Sequence, residues 1–357
     1  MAGFYAAHRM KEHISSQLLR KKGIVGVGVG LADPKQPSKG AAVIVYTNKK
    51  MSKASVLAGL ANVPASIKAN IPIRHIPSGK AVTLAHLPKP RVKQFTGRIR
   101  PVQPGYSVSG GGGTGTGGLV VINSPQANQL YLLSNRHVLV SLENPTQFTP
   151  VLQPGTADGG TLPNDRIGRL ERFVPLRLNN RNNYVDAALA LPLRNNLLNP
   201  SYPTVGSLPG HVNNYRVGDR FIKVGRTTGL TTGVVESIDT DIVVLQGLFG
   251  PPATFRNQTI VASVNRNPVA EPGDSGSVFL DQSSHFVTAV LHGGIGVGER
   301  AIAFPFGWAA EVFNIRVAST GSSLGKVKGN SGKRDYACVR PLTKKELASI
   351  RVASPRP

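Results

Sequence analysis

The sequence predicts a mainly β protein, and two observations carry that prediction. The 357 residues include 40 Gly and 27 Pro but only 6% aromatic residues, which indicates many turns and short strands rather than a helical bundle. From residue 119 to about residue 306, short apolar runs such as LVVI, LYLLS, GSVFL and FVTAVL recur between turn residues. Repeated short strands of this kind are typical of a β-sandwich or of β-barrels.

An α+β pattern precedes this central block. Apolar residues at helical spacing predict a helix over residues 9–21, and a second helix is expected over 52–60. Strands are predicted for GIVGVGVGL (23–31), AAVIVYT (41–47) and IPIRHIP (71–77). We therefore expect a small basic α+β domain over residues 1–90, followed by a Pro- and Arg-rich linker over residues 91–108.

The β domain is expected over residues 109–320. It begins with SGGGGTGTGG (109–118), which matches G-x-G-x-x-G literally. A strand-like LVVI follows where a nucleotide-binding fingerprint needs a helix, so the glycines are interpreted as a flexible entry into the first strand. A single helix is predicted over 307–315. The remaining residues, 321–357, are expected to form a basic tail, where Thr343 and Glu346 have the spacing of a capping box before a short helix.

The net charge of +24 is unevenly placed along the chain. Residues 1–100 hold 18 Lys and Arg against 2 Asp and Glu, residues 101–320 hold 15 against 14, and residues 321–357 hold 9 against 2. Two basic blocks therefore flank a near-neutral one. This asymmetry indicates attraction to a polyanion such as nucleic acid or an anionic surface, and a merely solubilising surface is the alternative.

Cysteine usage and hydropathy bear on the compartment. Cys338 is the single cysteine, which excludes an intramolecular disulfide and fits a reducing compartment. The first residues lack the apolar segment of a secretory signal, and no stretch approaches the roughly 20 apolar residues of a membrane span. A cytoplasmic location is therefore expected, with non-classical secretion as the alternative. The oligomeric state is not predicted.

Ser275 in EPGDSGSVF (271–279) is either a nucleophile or part of a plain polar turn. A serine hydroxyl needs a general base, which in turn needs a group that holds its tautomer. Of the eight histidines, His137 lies where the apolar run YLLS leads into SNRHVL. Asp186 is embedded in the apolar run VDAALALP, and a buried carboxylate is costly unless it is paired. The alternative acids Asp158, Asp165 and Glu171 lie in loop-like or charged sequence and are expected to be solvated.

The order His137, Asp186, Ser275 is that of the chymotrypsin-like arrangement, whereas subtilisins and α/β-hydrolases use other orders. The chain resembles the chymotrypsin-like (trypsin-fold) serine peptidases, in particular the bacterial trypsin-like type without disulfides. The resemblance covers residues 100–318. It is carried by SNRHVL, VDAALA, KVGRTTGLTTG (223–233), GDSGS and AVLHGG (289–294).

This resemblance implies two six-stranded β-barrels with a cleft between them. It also implies that His137 is the general base and acid, that Asp186 orients it and that Ser275 is the nucleophile. The backbone N–H groups of Gly273 and Ser275 would form the oxyanion hole. No metal or other cofactor is expected, because the sequence has no H-E-x-x-H, no cysteine cluster and no calcium-loop spacing.

The resemblance also places the substrate pocket. Its floor falls at Val269, six residues before the nucleophile, and an apolar residue there predicts an uncharged apolar substrate residue rather than Lys or Arg. The AVLHGG strand supplies a wall through Leu291, His292 and Gly293, with backbone offered to an extended peptide. His292 is either a structural histidine or a group that favours an acidic substrate residue.

The chain departs from the family's animal members at two places. Asn135 and Arg136 precede His137, and no cysteine follows it. In the animal enzymes a freed N-terminus pairs with the Asp of the GDSG turn, but here about 100 residues precede the domain, so Asp274 needs another partner unless cleavage occurs. Self-cleavage near the linker, at 88–108, is one hypothesis.

The sequence thus leads to two hypotheses. The favoured one is a serine endopeptidase acting on protein or peptide substrates, with a basic N-terminal module for localisation or substrate recruitment. The other is a catalytically inactive scaffold of the same fold that binds nucleic acid or another polyanion through its basic flanks.

Overall fold

Two β-sheets form most of the molecule. The computed structural model describes residues 2–61, 63–68, 70–84, 91, 93–140, 149–178, 181–247, 251–265, 267–296, 298–321, 323–329 and 334–355. Within these residues one sheet has nine strands and the other has 13. The predicted mainly β fold with two β units is confirmed.

The elements follow one another along the chain in this order. The N-terminal block contains α1 (Phe4–Leu18), β1 (Ile24–Leu31), β2 (Ala41–Thr47), α2 (Lys53–Ala58), α3 (Ala65–Lys68), β3 (Ile73–Pro77) and β4 (Ala81–Thr83). The first half of the central block contains β5 (Ser107–Ser109), β6 (Thr114–Thr116), β7 (Leu119–Asn123), β8 (Leu130–Ser134), α4 (Arg136–Leu139), β9 (Pro150–Leu152), β10 (Arg166–Phe173), β11 (Asn182–Asn183) and β12 (Ala188–Pro192).

The second half begins with β13 (Gly210–Val212), β14 (Arg220–Gly225), β15 (Gly229–Leu245), β16 (Pro252–Ser263), β17 (Val278–Asp281), β18 (Val287–Ile295) and β19 (Arg300–Pro305). It ends with α5 (Phe306–Phe313), β20 (Ile315–Ser319), β21 (Ser323–Leu324), β22 (Lys326–Lys328) and α6 (Lys344–Ser349). Single 3-10 turns lie at Pro37–Lys39, Lys93–Phe95, Thr156–Asp158 and Asn195–Leu197.

The first sheet has the order β21-β20-β7-β8-β12-β10-β9-β5-β6. The second has the order β11-β16-β19-β18-β17-β14-β15-β1-β2-β3, and β4, β13 and β22 pair with it outside this path. A buried apolar cluster joins the two sheets, with Leu119 and Leu133 from the first and Val278 and Leu280 from the second. His137 follows β8 and Asp186 precedes β12 of the first sheet, whereas Ser275 precedes β17 of the second.

The strands of the N-terminal block extend the second sheet. β1 pairs antiparallel with β15, with Gly26 opposite Ile242 and Gly30 opposite Ser237. The alternating glycines of GVGVG make this approach possible, because a Cβ at position 28 would lie 2.1 Å from the Thr240 hydroxyl oxygen. The block is thus hydrogen-bonded to the second sheet, and the proposed domain boundaries stay a prediction.

The interpretation of the glycine-rich segment as a flexible entry was wrong. Residues 114–116 form β6, which pairs with β5. The glycines are required by close contacts: a Cβ at Gly112 would lie 2.2 Å from the His137 carbonyl oxygen, and one at Gly118 would lie 1.8 Å from the Gly276 carbonyl oxygen. The segment therefore packs directly against the candidate catalytic residues.

Candidate active site

His137 is held by the end of β8 and the short helix α4. Asn135 begins α4 in an extended conformation, and its side-chain amide donates to the Asp186 carbonyl at 2.8 Å. The His137 ring contacts the Asp186 carboxylate, with 2.8 Å between Nδ1 and Oδ2, and its backbone N–H donates to Oδ1 at 3.3 Å. Both side chain and main chain of this segment thus bind residue 186.

Asp186 precedes β12 and is 2% exposed. Burial raises the pKa of Asp186. The adjacent His137 ring, together with His292 and Arg136 nearby, lowers this pKa by a larger amount, so that its value is about 2. The carboxylate is therefore ionised at neutral pH and must accept the Nδ1 proton of His137. That fixes the tautomer in which Nε2 of a neutral ring is the proton acceptor.

Ser275 lies in the turn before β17 and is 1% exposed. Its backbone carbonyl accepts a hydrogen bond from the Thr116 N–H at 2.8 Å, which attaches the turn to β6 of the first sheet. Among the described residues, neither Ser275 Oγ nor His137 Nε2 has a hydrogen-bond partner, and both atoms are buried. The structure thus joins His137 to Asp186 directly but gives no hydrogen bond between His137 and Ser275.

Gly273, the first expected oxyanion donor, has a left-handed conformation with φ of 99°. Its N–H donates to the carbonyl oxygen of Leu84 at 3.0 Å. The following turn is tied to β18, because Gly276 N–H donates to the Leu291 carbonyl at 3.0 Å and Leu291 N–H donates to the Ser277 carbonyl at 2.9 Å. One of the two expected oxyanion-hole donors, the Gly273 N–H, is therefore already bound to a main-chain carbonyl of the protein itself.

Asp274 has the partner that the sequence left unidentified. Its Oδ1 accepts the N–H groups of Thr227 and Thr228 at 2.9 and 3.1 Å. Its Oδ2 accepts the Thr228 hydroxyl at 2.7 Å and the Glu271 N–H at 2.9 Å. Lys223 Nζ lies 3.4 Å from the same oxygen, and both side chains are fully buried. The RTTG hairpin and a buried lysine therefore do for Asp274 what a freed N-terminus does in the animal enzymes.

Asp158 is not solvated, contrary to the expectation from its loop-like sequence. Its carboxylate is buried and pairs with Arg226, at 2.7 Å from Nε and 2.5 Å from one terminal nitrogen. Arg226 N–H also donates to the Thr116 hydroxyl, which donates to the Gly273 carbonyl at 2.8 Å. This chain of contacts connects the first sheet to the back of the serine turn, and the loop sequence around Asp158 carries no signal for it.

The expected pocket residues lie on the second sheet. Val269 and Leu291 are fully buried in one apolar cluster that also contains Ala270 and Leu84. Gly293, in β18, pairs with Thr83 of β4.

The His292 side chain is held within the second sheet. Its Nε2 lies 2.9 Å from the Gln258 side-chain oxygen, and its ring packs beside Phe255 and Phe304. Burial lowers the pKa of His292 to about 4, against a raising effect of Asp186. The ring is therefore neutral at physiological pH, which favours the structural interpretation of this histidine.

No helix among the described residues has the length and apolar character needed to cross a membrane. No protein-family model matches the chain, and no curated protein matches it significantly.

Several solved structures are similar to the chain. A glutamic acid-specific serine protease is 18% identical, with a TM-score of 0.44, and the match covers 60% of this chain and 100% of that one. The Nocardiopsis protease is 20% identical, with a TM-score of 0.42, and covers 60% of this chain and 99% of its own. Thermobifida fusca protease A is 17% identical, with a TM-score of 0.42 and coverages of 61% and 100%. The chain is thus similar, over about three fifths of its length, to serine proteases of known structure.

Proposed function

We propose that this chain is a serine endopeptidase in which Ser275 attacks the peptide carbonyl, His137 transfers the protons and Asp186 orients His137. The observation that carries the proposal is the 2.8 Å contact between His137 Nδ1 and the buried, ionised Asp186 carboxylate. A histidine held in this way presents Nε2 as a proton acceptor. Ser275 lies in the same turn as the Gly273 N–H, which donates to a main-chain carbonyl at 3.0 Å, and this supports its role as the nucleophile.

The chemistry proceeds in two halves. Ser275 Oγ bonds to the substrate carbonyl carbon as its proton passes to His137 Nε2, and Asp186 stabilises the imidazolium that forms. The N–H groups of Gly273 and Ser275 stabilise the oxyanion, and each such donor contributes about 2.7–4 kcal/mol to the transition state. His137 then protonates the leaving amine, and water, activated by the same base, hydrolyses the acyl-enzyme.

The pocket supports an uncharged apolar residue before the scissile bond. Val269 and Leu291 line an apolar, buried cluster, and burying an unpaired lysine or arginine there would cost several kcal/mol. Substrates would bind as an antiparallel strand on the Gly293 side of β18, in the place that β4 occupies in this structure. This mode uses main-chain hydrogen bonds rather than side-chain recognition.

A fluorophosphonate probe tests the proposed nucleophile. We expect one phosphonyl group on Ser275 of the folded protein and none on the Ser275→Ala variant. Ser277→Ala is the matched control, because the Ser277 hydroxyl is equally buried and unpartnered among the described residues and should not affect labelling. An unlabelled Ser275 in the whole folded protein after prolonged incubation would contradict the proposal and favour the inactive scaffold.

The basic blocks support a recruiting role. Arg20, Lys21, Lys22, Lys49 and Lys50 are exposed. The two stretches that carry them are neighbours, because Asn48 N–H donates to the Gly23 carbonyl at 2.8 Å. Five adjacent exposed cations form a patch that suits a polyanion such as nucleic acid or an anionic surface.

A further inference from the structure

Residues 81–84 lie on the substrate strand of the proposed peptidase as a peptide substrate would. β4 pairs antiparallel with β18, with Ala81 opposite Ile295, Val82 opposite Gly294 and Thr83 opposite Gly293. On its other side Val82 pairs with β15. Addition of one extended strand to the edge of β18 is the binding mode by which main-chain hydrogen bonds fix a peptide in register.

Leu84, the next residue, meets the requirements of the residue before a scissile bond. Its carbonyl oxygen accepts the Gly273 N–H at 3.0 Å, which is the contact expected of an oxyanion donor with the carbonyl under attack. Its side chain is 4% exposed and belongs to the apolar cluster of Val269 and Leu291. A Cβ at position 294 would lie 2.9 Å from Leu84 Cδ2, so Gly294 leaves room for this side chain.

The segment is held in the cleft from both sides. Upstream, β1 is paired with β15 of the second sheet, and the buried Lys11 ammonium lies 2.9 Å from Asp241 of β15. Downstream, Arg91 N–H donates to the Thr227 carbonyl at 2.8 Å, and its guanidinium binds Glu271 through two 2.7 Å contacts. A peptide bond tethered within one chain in this way reacts at a high effective concentration.

We propose that the Leu84–Ala85 bond is the chain's own cleavage site and that residues 81–84 then block the cleft as a bound product. This inference rests on the proposed function. Ser275 Oγ attacks the Leu84 carbonyl carbon, His137 passes the hydroxyl proton to the Ala85 amine, and the C–N bond breaks. Water then hydrolyses the Leu84 ester and leaves a carboxylate. The site lies upstream of the 88–108 segment that the sequence suggested.

The cleaved N-terminal part is expected to stay in place. Its strand pairing with β15 and β18 does not depend on the broken bond, so the Leu84 carboxylate remains beside Gly273. The protease would therefore be inhibited by its own product until the basic N-terminal block is displaced. A polyanion that binds the exposed patch around Lys21 and Lys50 is the class of ligand that the charge favours for this step.

Mass spectrometry and probe reactivity of the full chain test the inference together. Wild-type protein should convert to fragments 1–84 and 85–357 at a rate independent of protein concentration, and Ser275→Ala should remain whole. Leu84→Asp places a carboxylate in the apolar cluster, so self-cleavage should slow by about 100-fold or more. The same variant should raise the rate of fluorophosphonate labelling at Ser275 by about 10-fold, because the tethered occupant no longer fits.

Two controls keep the test interpretable. Leu57→Asp adds the same charge at an exposed leucine of α2, which is 46% exposed, and should leave both rates unchanged. Leu84→Met keeps an apolar side chain and should cleave within about 10-fold of the wild-type rate. If Leu84 only stabilised the fold, Leu84→Asp would reduce both the rate of self-cleavage and the rate of labelling at Ser275. The slower cleavage and faster labelling expected for this variant exclude that explanation.

The outcomes separate this inference from the proposed function. If Ser275 reacts with the probe while the chain stays whole or is cut elsewhere, the inference is overturned and the peptidase assignment stands. If Ser275 is inert in the wild type, in Leu84→Asp and in Leu84→Met, both are overturned.

Discussion

Asp186 is charged inside the protein because its neighbours donate to it. Burial raises the pKa of Asp186, but the His137 ring lowers it by more through its charge and its hydrogen bond, with smaller contributions from His292 and Arg136, so that the pKa is about 2. The sequence made this pair recognisable, since an acid within an apolar strand-like run requires a buried partner. His137 and Asp186 were therefore predicted from residue type, context and order.

The charge on Asp186 predicts a pH dependence of stability. The folded pKa of about 2 lies below the ordinary value of 3.8, so the ionised carboxylate stabilises the fold above about pH 4. That contribution, on the order of 2 kcal/mol, is lost as the pH falls through 2. In Asp186→Asn, the free energy of unfolding in urea should therefore change less between pH 4 and pH 2 than in the wild type.

Glu299→Gln is the control for this measurement, because its side chain is 72% exposed and its removal should leave the wild-type slope intact. Equal slopes for Asp186→Asn and the wild type would show that the carboxylate is not held ionised by its neighbours.

At the scale of elements, the serine turn is assembled by two other segments. The hairpin between β14 and β15 supplies three donors to Asp274, and β6 supplies Thr116, whose hydroxyl reaches the Gly273 carbonyl. The sequence singled out Ser275 as the candidate nucleophile but gave Thr227 and Thr228 no role beside it. Their role depends on a contact between residues about 46 positions apart, which no local pattern reports.

The buried pair Lys223–Asp274 predicts non-additive effects on stability. Asp274→Asn leaves a buried ammonium without its counter-charge, and Lys223→Met leaves a buried carboxylate, so each should cost about 3–5 kcal/mol. The double variant should cost clearly less than the two losses added together, because neither charge then remains unpaired. Urea unfolding of the four proteins measures the coupling, and strict additivity would contradict the pairing.

The position of Leu84 at the candidate site could not be predicted from the sequence. The residue lies in AVTL, a stretch without a motif, and its importance comes from the register that sets Thr83 opposite Gly293. Register between strands more than 200 residues apart is fixed by the packing of whole sheets. Val269, by contrast, was expected in the pocket because the family resemblance places the pocket floor six residues before Ser275.

At the scale of the whole molecule, the basic N-terminal block is built into the second sheet through β1 and β15. The sequence predicted the block's α+β composition and its charge, since both are local properties. Its attachment could not be predicted, because the pairing of β1 with β15 joins strands more than 200 residues apart in the sequence.

The charge distribution predicts salt-dependent binding of polyanions. Replacement of Lys21, Lys22, Lys49 and Lys50 by Gln removes four exposed cations, so affinity for a single-stranded oligonucleotide should fall, and the dependence of log K on log salt should become shallower. Fluorescence anisotropy at several salt concentrations measures both. Replacing Lys326 and Lys328 of the tail by Gln is the comparison, with a smaller expected change. Wild-type binding that ignores salt would argue against an electrostatic role.

The central claim, that Ser275 forms an acyl-enzyme, is tested most directly by trapping that intermediate. The wild type and Leu84→Asp are mixed with a p-nitrophenyl ester at mildly acidic pH, quenched in acid and mapped by peptide mass spectrometry. We expect one acyl group per chain, on Ser275, with faster acylation in Leu84→Asp and none in Ser275→Ala. Acyl groups on other residues only, or no acylation of Ser275 in either protein, would contradict it.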